Sequence, residues 1–349
     1  TSSTPLKKTV LKYLPPIDAK VTEFSTIYKY LEYLQKLASE VNMPYVNVTL
    51  DVGAAMNAER VLWNYPLKFK NVIIHFRVFH FMKENFGVIG KIIKGSGFED
   101  VIFQAGVCST GSLNGVLTGS HYNRAWTVHR AFSEGLERCL IERFLSEYNI
   151  PVPEDFLIAA ELPQSFYYNV ISKNATFLKQ YLEFKENIRK REVGETPRFW
   201  LLLYLDLMQV QYLIHLAVQD NDFEMRLHCW KFYLPLYFAF QKTNYARYGS
   251  YYVKVLENIE QMYPGLKDLL KQNGMSVQAQ ESFPIRVAID QREQTINRDA
   301  KTSGGIKSFA SDRSSILKWT LNRAEQAKNI TALLNLAEVN SATNAYKPL

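Results

Sequence analysis

Hydrophobic and polar positions in the N-terminal part of the chain follow two different periods. Between residues 22 and 41, Phe24, Ile27, Tyr28, Leu31, Leu34 and Leu37 recur at the three- and four-residue steps of one helical face. In residues 45–51, Val46, Val48 and Leu50 alternate with Asn47 and Thr49, as in a half-buried strand. A helical segment follows at 54–63, a short apolar strand at 71–76 and a further helix at 79–93. Strand, helix, strand, helix in that order predicts a βαβ unit with a parallel pair.

From about residue 98 the pattern is helical throughout. Residues 123–148 place Trp126, His129, Phe132, Leu136, Cys139, Leu140 and Phe144 on one stripe, with Glu and Arg opposite. Further helices are expected at 165–192, 197–219, 222–242, 246–262 and about 312–327. The expected fold is α+β and predominantly helical. It divides into a basic linker (1–20), a partial βαβα core (21–95), a helical insertion (96–282), core-closing helices (283–330) and a polar tail (331–349).

Composition narrows the classes. The 349 residues are 47% apolar and 13% aromatic, enough for a sizeable core. A net charge of +7 favours a polyanionic partner such as DNA. Cys108, Cys139 and Cys229 lie far apart without metal-ligand spacing, which predicts reduced, buried thiols in an intracellular protein. The most apolar run, 199–218, carries Asp206, Gln209, Gln211 and His215, so it reads as a buried helix rather than a membrane span. The chain opens on Thr1 rather than Met, as a fragment would.

Candidate chemistry concentrates in two places. Asp51 closes the first strand, where open α/β sheets bind ligands, and it is equally placed to cap the next helix. In "DQREQTINRDAKTSGGI", residues 290–306, Asp290, Asn297 and Lys301 fall within ~40° of one another on a helix. Glu293 lies ~60° aside, towards Ile289, Ile296 and Ala300. That makes it either a helix pinned by polar contacts or one wall of a site. In "KTNYARYGSYY", Lys242 and Arg247 interleave with Tyr245, Tyr248, Tyr251 and Tyr252. Such a patch stacks bases while cations hold phosphate, or else it is half-buried packing. His75 and His80 lack the spacing of a metal pair, and "GKIIKGSG" lacks the lysine of a phosphate loop. There is no dinucleotide fingerprint.

The string at 290–306, with "RSSILKWTL", "FHFMKENFGVIGKIIKGSG", "YNRAWTVHRA" and "NYARY", resembles an uncharacterised domain family associated with invertebrate mobile elements. More weakly, "VTLD", a helix and "NVIIHFRVFHFMKENF" are similar to the middle of Mutator-type RNase H-like transposases. That resemblance implies a small, incomplete RNase H-like sheet with a large all-helical insertion. It implies metal-ligating, catalytic roles for Asp51 and Glu293, supported by His80, Asp290, Asn297 and Lys301. It also implies two Mg2+ ions about 4 Å apart, and DNA contacts through Lys242, Tyr245, Arg247 and Arg298. The first catalytic carboxylate has no counterpart upstream of Asp51, so the implied nuclease is inactive in this chain. A nuclear location follows from the same resemblance. The rival expectation is a non-enzymatic helical interaction protein.

Overall fold

A computed structural model describes residues 19–149, 175–190, 194–274, 276–278 and 286–300, together with Thr9 and Leu14. It is predominantly helical, with two small two-stranded sheets among the described residues. The chain divides into two compact units. One holds residues 1–75 and 275–349, and the other holds 76–274.

In the first unit, α1 (Phe24–Glu40) leads to β1 (Val46–Leu50), α2 (Val52–Asn64) and β2 (Val72–Phe76). The Val46 amide donates to the Asn71 carbonyl at 2.9 Å, so both strands enter the sheet at the same end and run parallel. β1 alternates as expected, burying Val46 and Val48, whereas β2 is buried along its whole length. His75 lies inside the sheet with a ring nitrogen 2.9 Å from Asn47 Oδ1, a satisfied core histidine. Ile27 and Leu31 of α1 are buried, as are Ala55, Ala58 and Val61 of α2, where α1 packs on α2 and β1.

The helical unit runs through α3 (Val78–Ile93), α4 (Phe98–Gln104), α5 (Thr110–Leu117) and α6 (Tyr122–Glu147). After the segment that is not described come α7 (Ala175–Arg189) and α8 (Glu195–Trp200), which passes through a π-helical turn (Leu201–Leu205) into α9 (Asp206–Gln219). α10 (Phe223–Ala239), α11 (Thr243–Glu257), α12 (Ile259–Met262) and α13 (Leu266–Asn273) complete it. α3 is the central helix, and α5, α9 and α10 pack against it. Gly90 lets α5 approach: a Cβ there would stand 2.0 Å from the Leu117 carbonyl oxygen. On the α9 side, Asn85 donates to Gln211 Oε1 at 3.1 Å, Gln211 donates to the Met82 carbonyl at 2.8 Å, and the Tyr237 hydroxyl donates to Asn85 Oδ1. This buried network closes on itself, which fixes register where apolar packing alone is permissive.

The stretch Glu195–Gln219 is long and apolar enough by composition to cross a membrane, and half of its apolar window is buried inside the protein. Tyr204, Met208 and Gln211 face the core, and Arg189 pairs with Asp206 at 2.8 Å. Cys108 and Cys229 are buried, but Cys139 is exposed, a correction to the expected burial of all three. α6 turns its Ala125, Val128, Ser133 and Ile141 side inward, which leaves Cys139 on the outer face.

Back in the first unit, β3 (Ser276–Gln278) and β4 (Arg286–Ala288) pair antiparallel, and α14 (Ile289–Ala300) follows β4 directly. The hairpin strands are three residues each, too short to show a period. Residues 165–174 of the helix expected at 165–192, the helix expected at about 312–327, the Gly-Gly break and the polar tail lie outside the described residues.

Candidate functional site

β1 delivers Asp51 to the carboxyl end of its strand, the position expected of a ligand-binding acid. Its backbone is extended, with φ −65° and ψ 162°, and its Oδ1 accepts the Ala54 amide at 2.9 Å. Asp51 is therefore the N-cap of α2. It satisfies one of the amides that the first helical turn leaves without a partner.

Glu293 belongs to the same unit and lies on α14, where it is exposed rather than turned to the core. Asp290 is the inward carboxylate, 1% exposed, while Ile289 is 37% exposed. α14 emerges from β4 with Ala288 fully buried, and this sets the rotation that carries Asp290 inward. A carboxylate in the first helical turn is also favoured by the helix dipole. Arg298 is exposed near the end of α14, and Asn297 is on the same helix. Lys301 lies outside the described residues. His80 is half-buried on α3, in the helical unit.

The implied Mg2+ pair needs several carboxylates, because two divalent ions that close must be neutralised. Among the described residues no group of three or more His, Cys, Asp or Glu is gathered to hold a metal. Of the two acids the resemblance would place there, Asp51 caps α2 and Glu293 is exposed on α14.

The tyrosines at 245–252 are directed largely into the core. Tyr245 is buried with its ring 5.1 Å from Tyr237 and stacked 6.1 Å from Trp230. Tyr248 and Tyr252 are buried as well. Lys242 pairs with Glu84 at 2.6 Å, and Arg247 points outward. Packing is thus the role seen for Tyr245, since its α11 face covers α10.

Two features went unremarked in the sequence. The first is the segment from Trp63 to Lys70, which joins α2 to β2 and is fastened along α1. The Tyr28 ring lies edge-on to Tyr65 at 5.0 Å and to Phe69 at 5.4 Å. Gln35 donates to the Lys68 carbonyl at 2.9 Å and to Asn71 Oδ1 at 2.6 Å. Lys68 bonds Glu32 and the Tyr28 hydroxyl, with its ammonium 4.4 Å from the Tyr28 ring centre. The Glu32 carboxyl is held below its ordinary range by Lys68 and Lys29. Only Phe69 of this segment is buried; Trp63 (49%), Tyr65 (43%) and Leu67 (88%) are exposed. The interleaving of rings and cations in "WNYPLKFK" carried that signal.

The second is Glu59, on the stripe of α2 that buries Ala55 and Ala58. It is 5% exposed and its Oε2 has no hydrogen-bond partner. Burial pushes its carboxyl up to about 7. The spacing of 55, 58 and 59 marks it as a core position occupied by an acid.

The fold and these placements define a helix-rich α+β protein with an exposed ring-and-cation edge on its discontinuous unit. The chain belongs to the family described as Domain of unknown function (DUF8702), whose model matches residues 1–347. No curated protein and no solved structure is matched by the chain. The expected membership of an uncharacterised domain family is thereby shown, while nothing in these comparisons links that family to mobile elements or to RNase H-like transposases.

Proposed function

We propose that this protein binds nucleic acid without cleaving it. The observation that carries the reading is how the two kinds of charge are used. Of the two acids expected to do chemistry, Asp51 caps α2 and Glu293 is exposed on α14, and among the described residues no group of three or more His, Cys, Asp or Glu is gathered beside either. The cations remain in excess, at net +7. Phosphate neutralisation by such cations supplies most sequence-independent affinity, and it weakens steeply with salt.

The test is anisotropy with fluorescent single- and double-stranded DNA across a salt series, alongside a plasmid-nicking assay with Mg2+ or Mn2+. Salt-dependent binding without nicking is expected. Absence of binding to either DNA would overturn the reading. Nicking that vanishes in both Asp51→Asn and Glu293→Gln would instead support the strand-transfer reading, in which this is a transposase remnant acting in the nucleus. That second reading draws on one observation, the placement of Asp51 at the carboxyl end of β1 in a parallel β1–α2–β2 unit.

A further inference from the structure

Loops usually spend their exposed positions on polar residues, because water must satisfy their backbone. The Trp63–Lys70 segment does the opposite. It is held by Gln35, Tyr28 and Glu32 of α1, yet Trp63, Tyr65 and Leu67 are open to solvent. Phe24, 38% exposed at the start of α1, extends the surface, with its ring 6.4 Å from Tyr65. Exposed rings and a leucine gathered on one fastened segment suit a binding surface.

The charge around it is net positive. Residues 19–36 and 60–70 contribute the exposed or half-exposed Lys20, Lys29, Lys36, Arg60, Lys68 and Lys70 against Glu23 and Glu32, six minus two, or +4. Rings that accept stacking, framed by cations that meet phosphate, are what single-stranded nucleic acid requires, whatever its sequence. An anionic bilayer suits the edge less well. Glu23 precedes Phe24 directly, and inserting the ring would press that carboxylate into the headgroup layer. A single strand, with its phosphates spaced apart, leaves room for Glu23 to face water.

We infer that the edge formed by Phe24, Trp63, Tyr65 and Leu67, with Lys29, Arg60, Lys68 and Lys70 around it, is a docking surface for single-stranded nucleic acid. The inference rests on the nucleic-acid reading above and names the surface and the strand form.

The experiment uses the full chain and a fluorescein-labelled oligothymidylate of about 20 nucleotides, long enough to cover such a site. Tyr65→Ala should weaken binding about ten-fold through the lost stack. Lys70→Gln should weaken it and lower the salt slope by about one. Tyr65 also touches Phe24 and Tyr28, so Leu67→Glu serves as the second variant; at 88% exposure its side chain contributes little to folding, and a carboxylate there repels phosphate. Loss of binding in Leu67→Glu with an unchanged circular-dichroism melt supports the surface. Binding of oligothymidylate that all three variants retain overturns it while leaving the nucleic-acid reading intact. Binding to duplex DNA alone also overturns it. If the chain binds no nucleic acid but binds phosphatidylserine vesicles through Leu67, both readings fall and the edge is a lipid surface.

Discussion

The two units bury titratable groups of opposite kind, an imidazole in one and a carboxyl in the other. In the helical unit, Asn85, Gln211 and Tyr237 satisfy one another and the Met82 carbonyl. Its buried His129 is sandwiched between Phe86 and Phe98, each 5.1 Å away, with Nδ1 3.2 Å from the Tyr204 hydroxyl. Burial drives that imidazole down to about 3, against a smaller opposing pull from the Val116 backbone. The first unit buries a carboxyl, Glu59, whose Oε2 has no partner, and its folded form holds a proton up to about pH 7. A buried base kept neutral and a buried acid kept neutral give linkage of opposite sign. One unit is therefore weakened by acid and the other by alkali.

The largest expected effect is the acid limb of the helical unit. His129 binds its proton at 6.5 when unfolded and at about 3 when folded, so the stabilisation is full above 6.5 and is lost as pH falls from there to 3. The loss is on the order of 5 kcal/mol, from ~1.4 kcal/mol per unit. Hydrogen exchange of α6 amides, corrected for intrinsic rate, should show protection declining across that window; flat protection from pH 7 to 4 would contradict it.

Gly90→Ala attacks the same unit by packing alone. The new methyl would meet the Leu117 carbonyl carbon at 2.7 Å and its oxygen at 2.0 Å, both backbone atoms. A cost of about 3 kcal/mol is expected. It should appear as lost protection in α3 and α5, with α1 and α2 unchanged, which would separate the units experimentally. Equal loss in both units would show that they unfold as one.

Glu59 supplies the alkaline limb. Its folded carboxyl, raised from 4.5 to about 7, holds a proton that the unfolded chain has released, so stability falls as pH rises from 4.5 to 7. The fall is on the order of 3 kcal/mol. Glu59→Gln removes the charge at similar shape, and at pH 8 it should raise the melting temperature of the first unit and flatten its pH profile. An unchanged profile would mean that the carboxyl is ionised in the fold. The smallest effect is at Asp51. Asp51→Ala should cost about 1 kcal/mol through the lost cap, whereas Asp51→Asn, an equally good cap, should be nearly neutral in thermal melts. A large penalty for Asn would point to a role for the charge itself.

Much of the fold was legible in the chain. The stripes at 22–41, 79–93 and 123–148 correspond to α1, α3 and α6, and the alternation at 45–51 to β1. Long helices announce themselves because each turn repeats the same burial. The candidate site was less legible. Asp51 was placed correctly at its strand end, but ligand and cap look alike in sequence, and it is the 2.9 Å reach to the Ala54 amide that shows the cap. For Tyr245 the sequence left base stacking and half-buried packing both open; the neighbouring α10 makes the tyrosine core, and Glu84 engages Lys242.

What the sequence determined by itself is the periodic part: helix positions, the parallel β1–β2 pair and the excess of positive charge, all set by local spacing and composition. What only the tertiary structure decided is which side of each element is covered. Glu59 shares a stripe of α2 with Ala55 and Ala58, and the packing of α1 and β1 on α2 is what covers it. Likewise α1 fastens the Trp63–Lys70 segment through Tyr28 and Gln35 on one side, while Tyr65 and Leu67 stay exposed on the other. Burial depends on contacts between residues distant in the chain, and no local pattern encodes them.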